Sequence, residues 1–490
     1  MKSKGNFVNG MWKQGTGNAF SSISPNDDSV IWQGNSSSEK DVSDCVILAK
    51  EAEQNWQKKT VDERISYIKK FTEIVKSNKQ KLAETISIEI GKPLWEALTE
   101  VNSVVGKLDL TVNAYKTRCS DITKEMSNGG ISRTQFKPLG TVVVIGPYNF
   151  PCHMANGHIM PALIAGNTVI FKPSEKGAMS AELMMEYWEQ AGLPKGVINM
   201  LQGEGDTGSF LVENENINGV LFTGSYKVGE KIRKVCSTDK MCALEMGGNS
   251  PLVVWDTENM DAAVIATIQS AFITSGQRCS AARRLIVPKN DFGDKFIARL
   301  VDVANDIIVG RYNDVVEPFI GPVRFPALVN SIINEQNRLV ENGAIVLKKC
   351  ERLSQGKCFV TPGIIDVSQV AARNDDEIIG PFLRVIRVNT FDEAIIEANK
   401  SSYGLAAGIF TEDQLLYEKF SSQIKAGLVN WNQQLTGASG GAPFGGIKKS
   451  GNYRPGGYFA VDYCVYAVAS IEVKKTKEVD SFPKGIRHSN

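Results

Sequence analysis

Short runs of β-branched and other apolar residues alternate with helical segments along most of the chain, and this alternation restricts the possible folds more than any other feature. In the first half the runs occupy 141–145, 168–171, 197–201 and 219–222, with helical patterns between them. Such strand–helix–strand repeats are typical of a parallel, doubly wound sheet. A second series runs from PLVVW to GLVNW. We therefore predict an α/β fold with two units that meet near Gly247 and Gly248.

Two amphipathic helices are predicted ahead of the first unit. One carries apolar residues at three- and four-residue spacing between Val42 and Trp56. The other starts at a capping box, in which the side chains of Thr60 and Glu63 satisfy free backbone N–H groups. Residues 91–93, Gly-Lys-Pro, are expected to end the helical stretch.

The composition excludes several classes of protein. Apolar residues make up 42% of the chain and charged residues 22%, which is typical of a folded protein. Lys and Arg number 55 against 54 Asp and Glu, so there is no charge surplus for nucleic acid or an anionic membrane. No apolar run approaches the ~20 residues that span a bilayer, and the N-terminal residues lack a signal-peptide core. We expect a cytoplasmic protein.

The cysteines and histidines indicate neither a disulfide framework nor a metal centre. Nine cysteines with no CxxC pair are typical of reduced thiols. There are three histidines in the whole chain. His153 and His158 are five positions apart, so on a helix they would face different directions. We therefore expect no metal site.

Polar side chains follow four of the predicted strands. Asn149 follows 141–145, Lys172 and Glu175 follow 168–171, Ser225 follows 219–222, and Glu245 follows the next apolar run. Ligands of open parallel sheets bind beyond the carboxyl ends of the strands. These five side chains are therefore candidates for one shared site.

Two glycine-rich loops compete as a phosphate-binding site. Residues 203–208 match GxGxxG, but Thr223 stands where the acidic residue for a ribose is needed, about 20 positions on. We therefore interpret 203–208 as a tight turn. The loop from Gly224 to Gly229 fits phosphate better, because it opens a helix whose N-terminus favours anions.

Cys279 is the main candidate nucleophile. It lies beside Arg278 in a polar turn, and nearby cations lower the pKa of a thiol. Most cysteines are simply small buried hydrophobic residues. Cys152, in a loop close to Asn149, stays open as an alternative. Glu245 is either a strand-end carboxylate or a general base that activates water, and spacing does not decide between the two.

Together these segments resemble the NAD(P)-dependent aldehyde dehydrogenase superfamily, in order and across nearly the whole chain. Some of them resemble one branch in particular, the dehydrogenases of succinylglutamic semialdehyde in bacterial arginine catabolism. The superfamily motifs are GPYNFP, PALIAGNTVIFKPSE, FTGSYKVG, LEMGGNSP, GQRCS, EIIGPFL and NWNQQLTGASGGAPFGGIKKSGN. The branch motifs are GPYNFPCHMANGHIMPALIAGN, IGKPLWEALTEVNSVVGKL, VNWNQQLTGAS and SGNYRPGGYFAVDYC.

The resemblance implies a role for each catalytic candidate. Cys279 would attack the aldehyde to give a thiohemiacetal, and Asn149 with the Cys279 backbone N–H would hold the oxyanion. Glu245 would activate the water that hydrolyses the later thioester. If coenzyme A took the thioester instead, the chain would be an acylating dehydrogenase, which the presence of Glu245 argues against. A non-catalytic protein of this fold would not require all three residues.

The resemblance also implies the cofactor residues. Lys172 and Glu175 would lie at the adenine ribose, Ser225 at the pyrophosphate and Glu377 at the nicotinamide ribose. A carboxylate at Glu175 would repel a 2′-phosphate, so NAD is expected rather than NADP. Ile379 departs from the Phe that many members carry near the nicotinamide. The remaining cofactor candidates are Pro147, Gly224 and Gly229.

The expected substrate is N-succinyl-L-glutamate 5-semialdehyde, with succinic and glutamate semialdehydes as alternatives. Its two carboxylates require cations or several neutral donors. His153 follows Asn149 by four residues, where a helix would place both on one face. We expect His153 and Arg278 to read a substrate carboxylate. Phe444 is the third substrate candidate.

The domain division follows from the alternation and the resemblance together. Residues 1–119 and 139–247 are expected to form the NAD-binding domain, and 248–457 the catalytic domain. Residues 120–138 and 458–474 read as strands without a partner inside either unit. Because unpaired strand edges are usually covered, we expect these strands to mediate a homodimer or homotetramer. Residues 475–490 form a polar C-terminal tail.

Overall fold

The computed structural model describes residues 3–127, 129–476 and 482–486. Its strands are β1 (Asn6–Val8), β2 (Met11–Lys13), β3 (Ala19–Ile23), β4 (Val30–Asn35), β5 (Ile122–Glu125), β6 (Ile131–Pro138), β7 (Thr141–Ile145), β8 (Thr168–Lys172), β9 (Ile198–Met200), β10 (Gly219–Gly224), β11 (Met241–Met246), β12 (Ser250–Val254), β13 (Ala282–Pro288), β14 (Ile345–Lys348), β15 (Gly363–Asp366), β16 (Phe382–Val388), β17 (Tyr403–Gly404), β18 (Ala406–Phe410), β19 (Leu428–Trp431), β20 (Pro443–Phe444), β21 (Ile447–Lys448), β22 (Gly456–Gly457) and β23 (Val465–Glu472). Its α-helices are α1 (Glu39–Gln57), α2 (Val61–Ser77), α3 (Lys79–Ile90), α4 (Leu94–Arg118), α5 (His153–Ala165), α6 (Ala178–Gln190), α7 (Gly205–Glu213), α8 (Tyr226–Val235), α9 (Met260–Phe272), α10 (Asp291–Asn305), α11 (Pro326–Glu341), α12 (Phe391–Asn399) and α13 (Gln414–Gln423).

The first large sheet has the order β11-β10-β7-β8-β9-β1-β2. Its strands from β11 to β9 are parallel, and β1 adds to the edge in the antiparallel sense. Every residue of β7 and β8 is buried, as expected where helices cover both faces of a parallel sheet. The four strands that precede the candidate polar groups, β11, β10, β7 and β8, are consecutive neighbours. Their carboxyl ends therefore form one continuous edge.

The second large sheet has the order β14-β15-β16-β13-β12-β18-β19, and its pairs are parallel apart from β14 with β15. Together the two sheets confirm the predicted α/β fold class. β11 ends at Met246 and β12 begins at Ser250, so Gly247 and Gly248 connect the two sheets. The domain boundaries themselves stay a prediction.

A third, three-stranded sheet has the order β23-β6-β5. β23 pairs with β6 along eight residues, from Val465 opposite Pro138 to Glu472 opposite Ile131. The predicted strand at 458–474 is therefore shorter than expected, since it begins only at Val465. Residues 477–481 and 487–490 of the predicted tail lie outside the described residues.

The N-terminal helices confirm the sequence pattern at their starts. In α2, Thr60 accepts a hydrogen bond from the Glu63 N–H, and Glu63 reciprocates, which is the predicted capping box. Beyond residue 93, however, the chain forms the 25-residue helix α4, which sequence analysis missed. α4 packs against α2, α3 and α5.

No helix in the described part of the chain has both the length and the apolar character needed to cross a membrane.

Candidate active site

One cavity of about 1200 Å³ collects nearly all of the side chains singled out in the sequence. Five of its lining residues come from the strand ends of the first sheet: Asn149, Lys172, Glu175, Ser225 and Glu245. The remaining predicted residues that line it are Pro147, His153, Gly224, Arg278, Cys279, Glu377, Ile379 and Phe444. Gly229 does not line it. A Cβ at Gly229 would collide with Met246, so this glycine serves the packing of α8 on the sheet.

Cys279 follows a backbone turn of unusual conformation. Thr274 and Ser275 have φ values of 57° and 51°, in the left-handed region that costs non-glycine residues about 1–3 kcal/mol each. Glu96 of α4 stabilises the turn by accepting hydrogen bonds from the hydroxyl and the backbone N–H of Thr274. Arg278 completes the arrangement, with Nη2 2.9 Å from Glu96 Oε1.

The Cys279 thiol is protonated in this environment. Burial raises its pKa to about 12, and the carboxylates of Glu377 and Glu245 contribute to the same effect. Since the thiolate is the nucleophilic form, attack by Cys279 requires a group that accepts its proton. Cys152, the alternative nucleophile, is fully buried, and its Sγ faces the Ser180 carbonyl rather than the cavity.

Asn149 lies beside Cys279 in space. Its Nδ2 donates to the Gln277 carbonyl oxygen at 2.7 Å, two residues before Cys279. An amide donor and the backbone N–H of the nucleophile are the groups from which an oxyanion site is built. Asn149 precedes α5, which begins at His153. The expectation that one helical face carries both residues is therefore wrong.

Glu100 fixes the loop that carries Asn149. Its Oε1 accepts hydrogen bonds from the backbone N–H groups of Cys152 and His153, at 3.0 and 3.1 Å. These groups open α5, whose N-terminus favours a negative charge. Glu100 Oε2 lies 2.6 Å from Lys92 Nζ, and both side chains are about 1% exposed or less.

The Phe150 ring lies near both of the cations that pair with Glu96 and Glu100. Lys92 Nζ lies 3.5 Å from the centre of its ring, and the Arg278 guanidinium carbon lies 5.0 Å from it. Cations at such distances are attracted to the ring face. The residue next to Asn149 is therefore held between a cation paired with Glu100 and a cation paired with Glu96.

Glu245 has the properties of a general base. Burial raises its pKa to about 7, against the opposing effects of the Lys107 ammonium and of hydrogen bonds from the Gly456 N–H and the Thr223 hydroxyl. A carboxylate with a pKa near 7 can exchange protons with water at neutral pH. Glu245 is 5% exposed and lines the cavity with Cys279.

A chain of hydrogen bonds orients the Thr223 hydroxyl toward Glu245. His158 Nε2 lies 2.9 Å from Thr223 Oγ1, and His158 Nδ1 lies 2.8 Å from the Tyr463 hydroxyl. Burial lowers the pKa of His158 to about 3, so its imidazole is neutral. With Nε2 protonated, Tyr463 donates to Nδ1, Nε2 donates to Thr223, and Thr223 is left to donate to the carboxylate.

Glu377 lies against the backbone between the two sheets. A Cβ at Gly247 would overlap its carboxylate, so only glycine permits this approach. Burial raises the pKa of Glu377 to about 7, and the guanidinium of Arg283, 4.0 Å away, opposes the shift.

The end of the cavity beyond Glu377 has the chemistry of a dinucleotide site. The N-terminal residues of both α7 and α8 line it, and two helix N-termini favour the phosphates of such a ligand. Lys172 Nζ and Glu175 Oε2 are 4.0 Å apart and offer a donor and an acceptor for ribose hydroxyls. Residues 205–208 form the first turn of α7, so their interpretation as a tight turn is wrong.

The predicted substrate residues line the same cavity. Phe444 lines it from β20. The Arg278 charge is paired with Glu96, and burial lowers the pKa of His153 to about 3. His153 is therefore neutral, and the charge of Arg278 is paired with an internal carboxylate. The assignment of these two residues to a substrate carboxylate stays a prediction.

Sequence analysis missed the charged residues of α4. Buried residues recur along this helix at Ala97, Val101, Val104 and Leu108. Glu96, Glu100 and Lys107 lie beside them on the same buried face, and a charge on an apolar helical face was the available signal.

Within residues 3–127, 129–476 and 482–486, no three His, Cys, Asp or Glu side chains are grouped as ligands for a metal ion.

Comparison with known proteins identifies clear relatives. The profile of the Aldehyde dehydrogenase family matches residues 12–468. N-succinylglutamate 5-semialdehyde dehydrogenase of Paraburkholderia xenovorans (strain LB400) is 44% identical over 98% of this chain and 99% of its own. Betaine aldehyde dehydrogenase of Staphylococcus aureus, solved in complex with NAD+, has a TM-score of 0.90 at 26% identity, covering 98% of this chain and 97% of its own. NADP-dependent glyceraldehyde-3-phosphate dehydrogenase of Bacillus halodurans C-125, complexed with NADP, has a TM-score of 0.89 at 29% identity, covering 96% and 98%.

Replacing Glu96 should disrupt the turn before Cys279. In Glu96→Gln, Arg278 loses its buried partner, and we expect the free energy of unfolding to fall by about 3 kcal/mol. Urea unfolding followed by circular dichroism measures this change. Glu73→Gln, at an exposed site on α2, is the matched control and should change it by less than about 0.5 kcal/mol. Equal stability of the two variants would contradict the role given to Glu96.

Proposed function

The chain belongs to the aldehyde dehydrogenase family, and on this premise we propose that it oxidises N-succinyl-L-glutamate 5-semialdehyde to N-succinyl-L-glutamate with NAD. The convergence of Cys279, Asn149 and Glu245 on one cavity carries the proposed reaction. The substrate is supported by the 44% identity to a dehydrogenase named for it. Such an enzyme would act in arginine catabolism in the cytoplasm.

In the proposed reaction the Cys279 thiol releases its proton to solvent in the cavity as Sγ attacks the aldehyde carbon and forms a thiohemiacetal. The developing oxyanion accepts hydrogen bonds from Asn149 Nδ2 and the Cys279 backbone N–H, and one such donor is worth about 3–4 kcal/mol in comparable sites. NAD, when bound, would supply the acceptor for the hydride of that carbon, and loss of the hydride would leave a thioester on Cys279. Glu245 then takes a proton from water as the water attacks the thioester, and the acid is released.

The cofactor assignments follow the chemistry of the second end of the cavity. Lys172 and Glu175 would hold the adenine ribose, and the N-termini of α7 and α8, including Ser225 and Gly224, would hold the pyrophosphate. Glu377 would hold the nicotinamide ribose, with Pro147 beside it. The sequence-based choice of Gly229 is not supported, since this residue packs on Met246.

The third sheet supports an oligomer. Ile122, Tyr466 and Ile471 on its strands are 52%, 49% and 71% exposed, although exposed apolar strands are usually covered. We propose that a second copy of the chain covers this sheet in a homodimer or homotetramer. The predicted division into an NAD-binding domain, a catalytic domain and oligomerisation strands is part of the same proposal.

The decisive test of the substrate is NADH formation with NAD and without coenzyme A. N-succinylglutamate semialdehyde, succinic semialdehyde and glutamate semialdehyde are compared by kcat/KM. We expect a clear preference for the succinylated substrate and no activity in Cys279→Ala. Equal activity on all three aldehydes would support dehydrogenase activity but refute the proposed substrate. A requirement for coenzyme A would indicate the acylating reaction.

The pH dependence tests Glu245. Because hydrolysis needs the ionised carboxylate and its pKa is about 7, kcat at saturating substrate should rise between pH 6 and 8 and then level off. Glu245→Gln should lower steady-state turnover by roughly 100-fold or more while leaving a first burst of NADH. An inflection near 4.5, the ordinary value of a glutamate, would contradict the role of Glu245.

The cofactor preference tests Glu175. Glu175→Gln removes the charge that opposes a 2′-phosphate and keeps the shape of the side chain. We expect the ratio of kcat/KM for NAD to that for NADP to fall by roughly 10-fold, the effect of about 1.4 kcal/mol. Glu215→Gln, at an exposed position outside the cavity, serves as the control. An unchanged ratio in Glu175→Gln would exclude this carboxylate as the discriminating group.

A further inference from the structure

The aldehyde end of the cavity has one wall made by a single face of α4. Thr99, Ser103, Gly106, Lys107 and Leu110 line it, at offsets of 4, 7, 8 and 11 from the first, which is the spacing of one helical face. α5, which packs against α4, contributes residues 153, 154, 157 and 158 to the lining. We call the space that these residues of α4 and α5 line the acyl chamber.

Two glycines widen the acyl chamber at a cost to helix stability. Gly106 lies inside α4 and Gly157 inside α5, where glycine is less favourable than alanine. A Cβ at either position would meet nothing within 4 Å. Packing therefore does not require glycine at these positions, and each of them preserves open space in the chamber.

Lys107 is the charged residue of this wall. It is 7% exposed, and its Nζ donates to the Gly457 carbonyl oxygen at 3.2 Å. Among the described residues, no carboxylate oxygen lies within ion-pair distance of Nζ, although Glu245 is near enough to act on it electrostatically. A buried ammonium without a paired carboxylate is unfavourable, and two of its three N–H groups are available to a ligand.

The other cations near Phe150 have internal partners. Arg278 is paired with Glu96, and Lys92 is paired with Glu100. A substrate carboxylate in the acyl chamber would therefore not have to displace a protein carboxylate in order to pair with the Lys107 ammonium.

We propose that the acyl chamber selects the aldehyde, with Lys107 pairing with a carboxylate of the substrate and with Gly106 and Gly157 making room for its acyl substituent. The proposal rests on the proposed function and deepens it. It assigns selectivity for a branched, anionic aldehyde to α4 in place of Arg278 and His153. A small neutral aldehyde would use neither the ammonium nor the space.

Lys107→Met tests the charge at nearly constant volume. The observable is the ratio of kcat/KM for a carboxylated aldehyde to kcat/KM for propanal. We expect this ratio to fall roughly 10- to 100-fold for N-succinylglutamate semialdehyde, mainly through KM, because a charged hydrogen bond is lost. Lys116→Met, at an exposed position of the same helix, should leave the ratio unchanged.

The two ways in which Lys107 could act give different results. If Lys107 only tunes the pKa of Glu245, Lys107→Met shifts the pH profile equally with both aldehydes and leaves the ratio of kcat/KM values unchanged, which overturns the proposal.

Succinic semialdehyde, with one carboxylate, keeps the test independent of the proposed function. A wild-type enzyme that preferred it over the succinylated aldehyde would refute the proposed substrate, while the ratio to propanal would still decide the role of Lys107.

Gly157→Leu tests the space. It should lower kcat/KM for N-succinylglutamate semialdehyde by at least roughly 10-fold more than for propanal, since a branched side chain then fills the chamber. Gly157→Ala should raise the Tm, because alanine favours the helix and meets no neighbouring atom. If Gly157→Leu is folded by circular dichroism and affects both aldehydes equally, the chamber does not receive the acyl group.

Discussion

Two buried carboxylates on one turn of α4 determine the geometry of the rest of the site. Glu96 and Glu100 are four residues apart and 0% and 1% exposed, so they project from the same helical face. Glu96 fixes the left-handed turn before Cys279, and Glu100 fixes the loop after Asn149. The two reacting groups come from connections of different sheets, and one rigid helix sets the distance between them. Neither carboxylate can be removed without leaving a buried cation unpaired.

The same burial separates the roles of the acidic residues. Glu96 and Glu100 each have a cation within 3 Å and accept backbone hydrogen bonds from the segments next to the site. Glu245 and Glu377 lack so close a partner, and burial raises the pKa of both to about 7. A carboxylate that must exchange protons near neutral pH needs a raised pKa. Burial raises the pKa, provided that no nearby cation fully offsets this effect. The contrast between paired and unpaired carboxylates therefore separates Glu96 and Glu100, which hold backbone segments in place, from Glu245 and Glu377, whose pKa values lie near 7.

The sequence predicted the parallel sheet and the polar groups at its edge, because strand ends follow a local pattern and a general topological rule. It did not predict α4, since Gly91 and Pro93 correctly mark the end of one helix but do not exclude the start of another. The contact of Glu96 with Thr274 spans 178 positions and has no local signal. Residues 203–208 were misread as a tight turn because the test applied to them, an acidic residue about 20 positions on, does not reveal whether a helix starts there.

Arg278 shows that a charged residue beside a candidate nucleophile can have its partner inside the protein. From the sequence, Arg278 was the natural partner for a substrate carboxylate because it adjoins Cys279. In the fold its charge is paired with Glu96, which also accepts hydrogen bonds from Thr274 in the turn before Cys279. Among the described residues, Lys107 carries the buried charge that α4 leaves without a paired carboxylate, and no local sequence pattern distinguishes it from Arg278. We therefore expect motifs to indicate the catalytic candidates, whereas the residue that would select the substrate has to be found from the ion pairs of the folded chain.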